Sequence, residues 1–266
     1  MAIKMEYPTW DEISKKVLGQ VNLINPVNEY GNTAFVVDKK DNPKCVCNNP
    51  QYTQDLVGVD IPVLLSQANK ASEGIIVILG ESPLRTRNDK DNNNNNNNII
   101  LGLPYAVHMD MNNPAQSRMY KKIFNKLLNE GYSIYLTDII KDWFAGRKLD
   151  PSNDDIKLFE KELKILQESH PNTNIWIVVF GKKAKKAIDI LKGNATKFPK
   201  VIVLPHPSKK NWTTWKLRIF EKAVYGNDID YAYAKKIYPK PTSPTSEAIV
   251  STIAINEILA GLQANP

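Results

Sequence analysis

Four short segments place ligand-contacting side chains directly after runs of β-branched and aliphatic residues. Gly80-Glu81-Ser82-Pro83-Leu84-Arg85 follows Ile75 to Leu79, and Asp138-Ile139-Ile140-Lys141 follows Ser133 to Thr137. Gly181-Lys182-Lys183-Ala184 follows Ile175 to Phe180, and Pro205-His206-Pro207-Ser208 follows Val201 to Leu204. Carboxylates, hydroxyls and a histidine supply the donors and acceptors that a polar ligand needs, and lysines neutralise phosphates. Gly80 allows close backbone approach, Pro83 pre-forms a turn, and Pro205 and Pro207 stiffen the chain on either side of His206.

The four runs have strand length, and continuous apolar runs suit strands buried on both faces of a parallel sheet. In such a sheet ligands bind outside the carboxyl ends of the strands, which is where all four segments fall. Helical patterns alternate with the runs. Asn113-Pro114 opens one that continues to Glu130 and stops at Gly131, a second runs from Ile156 to Ser169, and a third spans Gly181 to Leu191. This alternation predicts an α/β protein: a three-layer α/β/α sandwich around a central, mostly parallel four-stranded sheet, with helical N-terminal and C-terminal extensions. The expected organisation is a mostly helical extension over 1–72, a core over 73–240 and a C-terminal helix over 241–266. In the first of these, Thr9-Trp10-Asp11-Glu12 has the form of a capping box opening a helix to about Ile24. Inside the core, a low-complexity loop at 86–98 ends in the seven-residue run Asn92 to Asn98, whose composition favours a mobile surface insertion.

Composition narrows the classes further. The chain has 266 residues, 42% of them hydrophobic and 24% charged, as in a soluble globular protein. It contains no apolar run of membrane-spanning length and no secretory signal at its start, so a cytoplasmic location is expected, or a nuclear one in a eukaryotic host. Two cysteines, Cys45 and Cys47, exclude a disulfide scaffold and a four-thiolate metal or iron-sulfur site. Charge is unevenly placed. Between 181 and 241, fourteen Lys and one Arg stand against Asp189, Glu221, Asp228 and Asp230, a net of +11 in a chain whose total is +7. A polyanionic partner fits that footprint.

The strand exits, taken in order, resemble the uracil-DNA glycosylase superfamily. Gly80-Glu81-Ser82-Pro83 is similar to its first motif, and Glu at the second position is closest to the iron-sulfur branch. Pro104-Tyr105-Ala106-Val107 resembles the Pro-Phe-Val segment of that branch, and Thr137-Asp138-Ile139-Ile140-Lys141 its Thr-Asn-Val-Val-Lys. Phe180-Gly181-Lys182-Lys183-Ala184 looks like its Leu-Gly-x-x-Ala helix start, and His206-Pro207-Ser208 like the second catalytic motif. The chain departs from the branch in lacking the four cluster cysteines.

The resemblance implies a monofunctional glycosylase that hydrolyses the N-glycosidic bond of uracil or a related deaminated base in DNA. It implies neither metal nor organic cofactor, no obligate protein partner and no membrane. Single-stranded or mispaired uracil-containing DNA is the expected substrate, because base extrusion costs least there. Under the resemblance His206 stabilises the departing base, while Glu81 and Ser82 line the loop that holds the attacking water. Gly80, Pro83, Tyr105 and Asp138 contact the base, with Tyr105 as the stacking ring. Ser208, Lys209, Lys210, Trp212, Lys182 and Lys183 contact the DNA. A weakly catalytic binding module on the same fold is the alternative, because Ser82 and Asp138 stand where the family carries other groups. Ionised Asp only accepts hydrogen bonds, whereas Asn also donates. Asp138 is therefore protonated, reads an exocyclic amine, or faces elsewhere. Trp215 is expected in the core.

Overall fold

Alternating burial on two faces builds the central sheet. In the computed structural model, which describes residues 3–9, 11, 35–38, 56–83, 98–106, 118–144, 149–194, 198–207, 211, 214–215 and 244–264, ten strands are present. They are β1 (Ile3–Glu6), β2 (Phe35–Asp38), β3 (Leu56–Asp60), β4 (Val63–Gln67), β5 (Ile75–Gly80), β6 (Asn98–Gly102), β7 (Ser133–Asp138), β8 (Asp142–Phe144), β9 (Ile175–Phe180) and β10 (Lys200–Leu204). The four longer helices are α1 (Arg118–Asn129), α2 (Asn153–Ser169), α3 (Lys182–Asn194) and α4 (Pro244–Gln263). All six residues of β5 are buried. Ile76 and Ile78 face one layer together with Phe124 and Leu127 of α1 and Ile253 and Ile258 of α4. Ile75, Val77 and Leu79 face the other, with Phe159 and Leu163 of α2 and Ala187 and Ile188 of α3. The result is a three-layer α/β/α sandwich.

The main sheet has the order β1-β4-β7-β5-β9-β10. Its last four strands are parallel and match the four runs expected from the sequence. Two further strands extend it to six. β4 pairs antiparallel with β7, and β1 antiparallel with β4. Here the expectation for residues 1–72 needs correction: the stretches described there are chiefly strands, β1 to β4. Val63 and Leu65 face one core and Leu64 the other, which is strand periodicity. Thr9 shares a 3.0 Å hydrogen bond with the Tyr135 hydroxyl; Asp11 is helical, and the rest of the helix expected to follow falls outside the described residues. Residues 12–34, Cys45, Cys47 and all of the Asn tract but Asn98 lie outside the described residues. The C-terminal helix is present as α4, packed on α1 and against β10.

A second, four-stranded sheet, β2-β6-β3-β8, was not foreseen. It joins two site segments. β6 leads into the 3-10 turn Pro104–Ala106, and β8 follows β7 after a short loop. Asp60 N–H donates to Lys141 O at 2.9 Å, and Ile61 N–H donates to Gly102 O at 2.7 Å. Both segments are thereby tied to one stretch of chain.

Below β7 lies a buried ionic network. Lys141 Nζ and Glu162 Oε1 are 2.6 Å apart, with side chains 0% and 1% exposed. Glu162 Oε2 also accepts from Thr137 Oγ1 at 2.8 Å and from the Tyr135 hydroxyl at 3.1 Å. The Lys141 ammonium also reaches the carbonyl of Asp138. Removing one member strands the other charge in the core, a cost of about 3–5 kcal/mol. Lys141→Met should lower unfolding stability by about that much in urea denaturation, and adding Glu162→Gln should cost clearly less than a second full penalty because the two groups are coupled.

Candidate functional site

The parallel register brings the strand exits level. Gly80 is paired with Asp138 at the ends of β5 and β7, and Gly181 N–H donates to Leu204 O at 3.2 Å, joining the exits of β9 and β10. Ile139 N–H and Ile140 N–H donate to Gly80 O and Glu81 O at 3.0 and 3.1 Å. The loops after β5 and β7 therefore form one bonded unit. Gly80, Glu81, Asp138 and His206 lie in the same region, as the expected order of exits required.

Gly80 is where space is tightest. A Cβ there would collide with Asp138 Oδ1 and sit 3.0 Å from the Tyr105 hydroxyl. Asp138 is thus folded over the glycine, only 4% exposed, instead of pointing to bulk water. Pro83 is buried and Ser82 partly buried.

Tyr105 sits at φ 58°, the sole non-glycine residue in the left-handed region among those described. Such a conformation costs about 1–3 kcal/mol and persists only where its surroundings enforce it. The enforcing contacts are aromatic. Tyr105 lies 4.6 Å from Tyr120 and edge-on to Phe124 and Phe180, at 5.6 and 6.4 Å between ring centroids. Its hydroxyl is buried with no hydrogen-bond partner among the described residues. Burial, then the charge of Asp138, then Tyr120 and Glu81, hold its pKa well above the ordinary phenol value.

Glu81 has a structural duty. Its Oε1 accepts from Lys183 N–H at 3.1 Å, so the carboxylate caps the N-terminus of α3, where negative charge is favoured. Gly181, at φ 98°, leaves room for it, since a Cβ there would strike Oε1. Lys183, expected on DNA, is engaged with Asp150 at 2.9 Å and the Leu149 carbonyl at 2.8 Å. Lys182 is exposed on the same helix end.

His206 follows β10 with its carbonyl accepting from Asn211 Nδ2 at 3.0 Å and from Trp215 Nε1 at 3.3 Å. Trp215 is fully buried, as expected. The ring meets Tyr120, whose hydroxyl lies 3.1 Å from Nε2. Burial pushes the imidazole below its ordinary 6.5, and the Glu81 charge partly offsets this. Tyr120 was missed from sequence, where it reads only as the first member of the apolar stripe Tyr120, Ile123, Phe124, Leu127 of α1. Ser208, Lys209, Lys210 and Trp212 lie outside the described residues. Among the described residues no helix is long and apolar enough to cross a membrane.

A three-layer α/β sandwich whose polar, aromatic-walled site lies at the carboxyl ends of its parallel strands defines the class of protein. The sequence model of the uracil DNA glycosylase superfamily matches residues 65–225, more than half of the chain and every site segment named above, and the chain belongs to that superfamily. Members of the superfamily generally hydrolyse N-glycosidic bonds and act on DNA. Among curated proteins none matches the sequence.

Two outcomes follow from this geometry. Gly181→Ala should displace the Glu81 cap and strain the turn, lowering stability by about 1–3 kcal/mol in thermal or urea unfolding. Because folded His206 resists protonation and the unfolded chain does not, its contribution is complete above pH 6.5 and is lost as pH falls through that value toward the lower folded pKa. Stability should therefore drop as pH falls through about 6.5, and the drop should be smaller in His206→Gln.

Proposed function

We propose that the protein is a monofunctional DNA glycosylase that releases uracil, or a related deaminated base, by attack of water. The observation that carries this reading is the convergence of Gly80, Glu81, Tyr105, Asp138 and His206 at the level strand ends of a superfamily fold. Breaking the N-glycosidic bond leaves electrons on the base while a sugar cation develops, so the enzyme must stabilise an anion and supply water. His206, neutral at physiological pH because it is buried, donates a hydrogen bond to the base oxygen as negative charge grows there.

The extruded base stacks against the Tyr105 wall. Ser82 orients the water. The Glu81 oxygen not bound to Lys183 N–H supplies the carboxylate that a hydroxyl alone cannot replace. Lys182 and the basic stretch beyond β10, including Ser208, Lys209, Lys210 and Trp212, hold the strand on either side of the extruded nucleotide. Single-stranded or mispaired DNA is the favoured substrate, since extrusion costs least there.

Asp138 sets the choice of base. Ionised, it accepts from the N3–H of uracil but repels the neighbouring O4. As a neutral acid it offers one donor and one acceptor, the same pair that Asn would present. Asp138→Asn should therefore raise excision of uracil from single-stranded oligonucleotides, read as strand breaks after hot alkali. His206→Ala should abolish those breaks. Retained DNA binding with no breaks on uracil, hypoxanthine or xanthine substrates would replace this reading with a binding module, a role to which the Ser82 substitution also points.

A further inference from the structure

His206 and Tyr120 meet in one hydrogen bond, phenol oxygen to Nε2, at 3.1 Å. A neutral imidazole carries one N–H and one lone pair, so the direction of this bond decides which ring nitrogen holds the proton. The surroundings of the phenol settle that direction. Its other contacts are rings: Tyr105, Phe124, Phe180 and the face or edge of His206 itself. If Nε2 donated, the phenol proton would be left among those rings with no acceptor among the described residues. If the phenol donates, both groups are satisfied.

The phenol remains protonated, because burial and the charges of Asp138 and Glu81 hold its pKa well above the ordinary value. The rest of the histidine is equally constrained. Its carbonyl is held by Asn211 and Trp215, leaving the ring little besides rotation about its own side-chain bonds. Nδ1 has no partner among the described residues.

We propose that Tyr120 donates to Nε2 and so holds His206 as the Nδ1–H tautomer, making Nδ1 the atom that faces and donates to the ligand. Tyr120 is then a positioning residue, acting through His206 and not on the substrate. The tautomer depends only on the protein's own hydrogen bonds. Its use against a base oxygen rests on the glycosylase reading above.

Imidazole-15N labelling with long-range 1H–15N correlation, at about pH 8 where the ring is neutral, reads the tautomer directly in the intact protein. His206→Gln assigns the signal. His170, whose Nδ1 lies 3.2 Å from the Leu166 carbonyl and can only donate to it, supplies an internal reference for the Nδ1–H pattern. Wild-type His206 should show that pattern, and Tyr120→Phe should shift it toward Nε2–H. On a uracil oligonucleotide Tyr120→Phe should lower kcat about 5–10-fold with little change in KM, the size of one lost hydrogen bond.

A wild-type spectrum with Nε2–H dominant overturns the proposal even if Tyr120→Phe fails to fold. An unchanged spectrum in a folded Tyr120→Phe does the same. Excision that requires His206, together with an Nε2–H ring, would leave the glycosylase reading standing and remove this one. An Nδ1–H ring in a protein that cuts no substrate would do the reverse.

Discussion

The site depends on one missing side chain. Gly80 ends β5 in register with Asp138, and the volume that any other residue would fill is taken by the Asp138 carboxylate and the Tyr105 hydroxyl. Backbone bonds from Ile139 and Ile140 to the carbonyls of Gly80 and Glu81 lock the two loops at that spacing. Three site residues are arranged around this close approach: Glu81 caps α3 with one oxygen, Asp138 folds inward, and Tyr105 adopts a strained backbone with its hydroxyl beside the glycine.

Stiffness beneath the site comes from a buried pair of charges that reaches it only through the Asp138 carbonyl. Lys141 and Glu162 are both removed from water, a costly arrangement unless each partner is present and hydrogen-bonded. Here Thr137 and Tyr135 complete the coordination of Glu162, and Lys141 also holds the Asp138 carbonyl. The pair thus ties α2 to the end of β7. Positional accuracy at Asp138 is a product of buried electrostatics, and the apolar packing around it supplies the low dielectric that makes the pair directional.

The central strands were legible because burial on both faces leaves an unbroken apolar run, and the same runs announce which residues come next. Gly80, Asp138, Gly181 and His206 were found in that way. The second sheet was not, since β2, β3, β6 and β8 are short, far apart in sequence and paired through contacts that no local period records. The strands of the first seventy residues were misread for a related reason: their pattern is too brief to separate from helix without knowledge of the partner strand. Tyr120 was hidden inside an ordinary helical stripe, where only its neighbour across the fold distinguishes it from Phe124. Glu81 is legible from the motif as a site residue, but its further duty as a helix cap depends on a turn a hundred residues away.

The helix α4 covers α1, which carries Tyr120, and abuts β10, which leads into His206; a side chain at Gly261 would have to displace that of Ile202. Phenol and imidazole thus sit on two elements that share one cover, so a change that loosens α4 would disturb their mutual orientation without touching either residue.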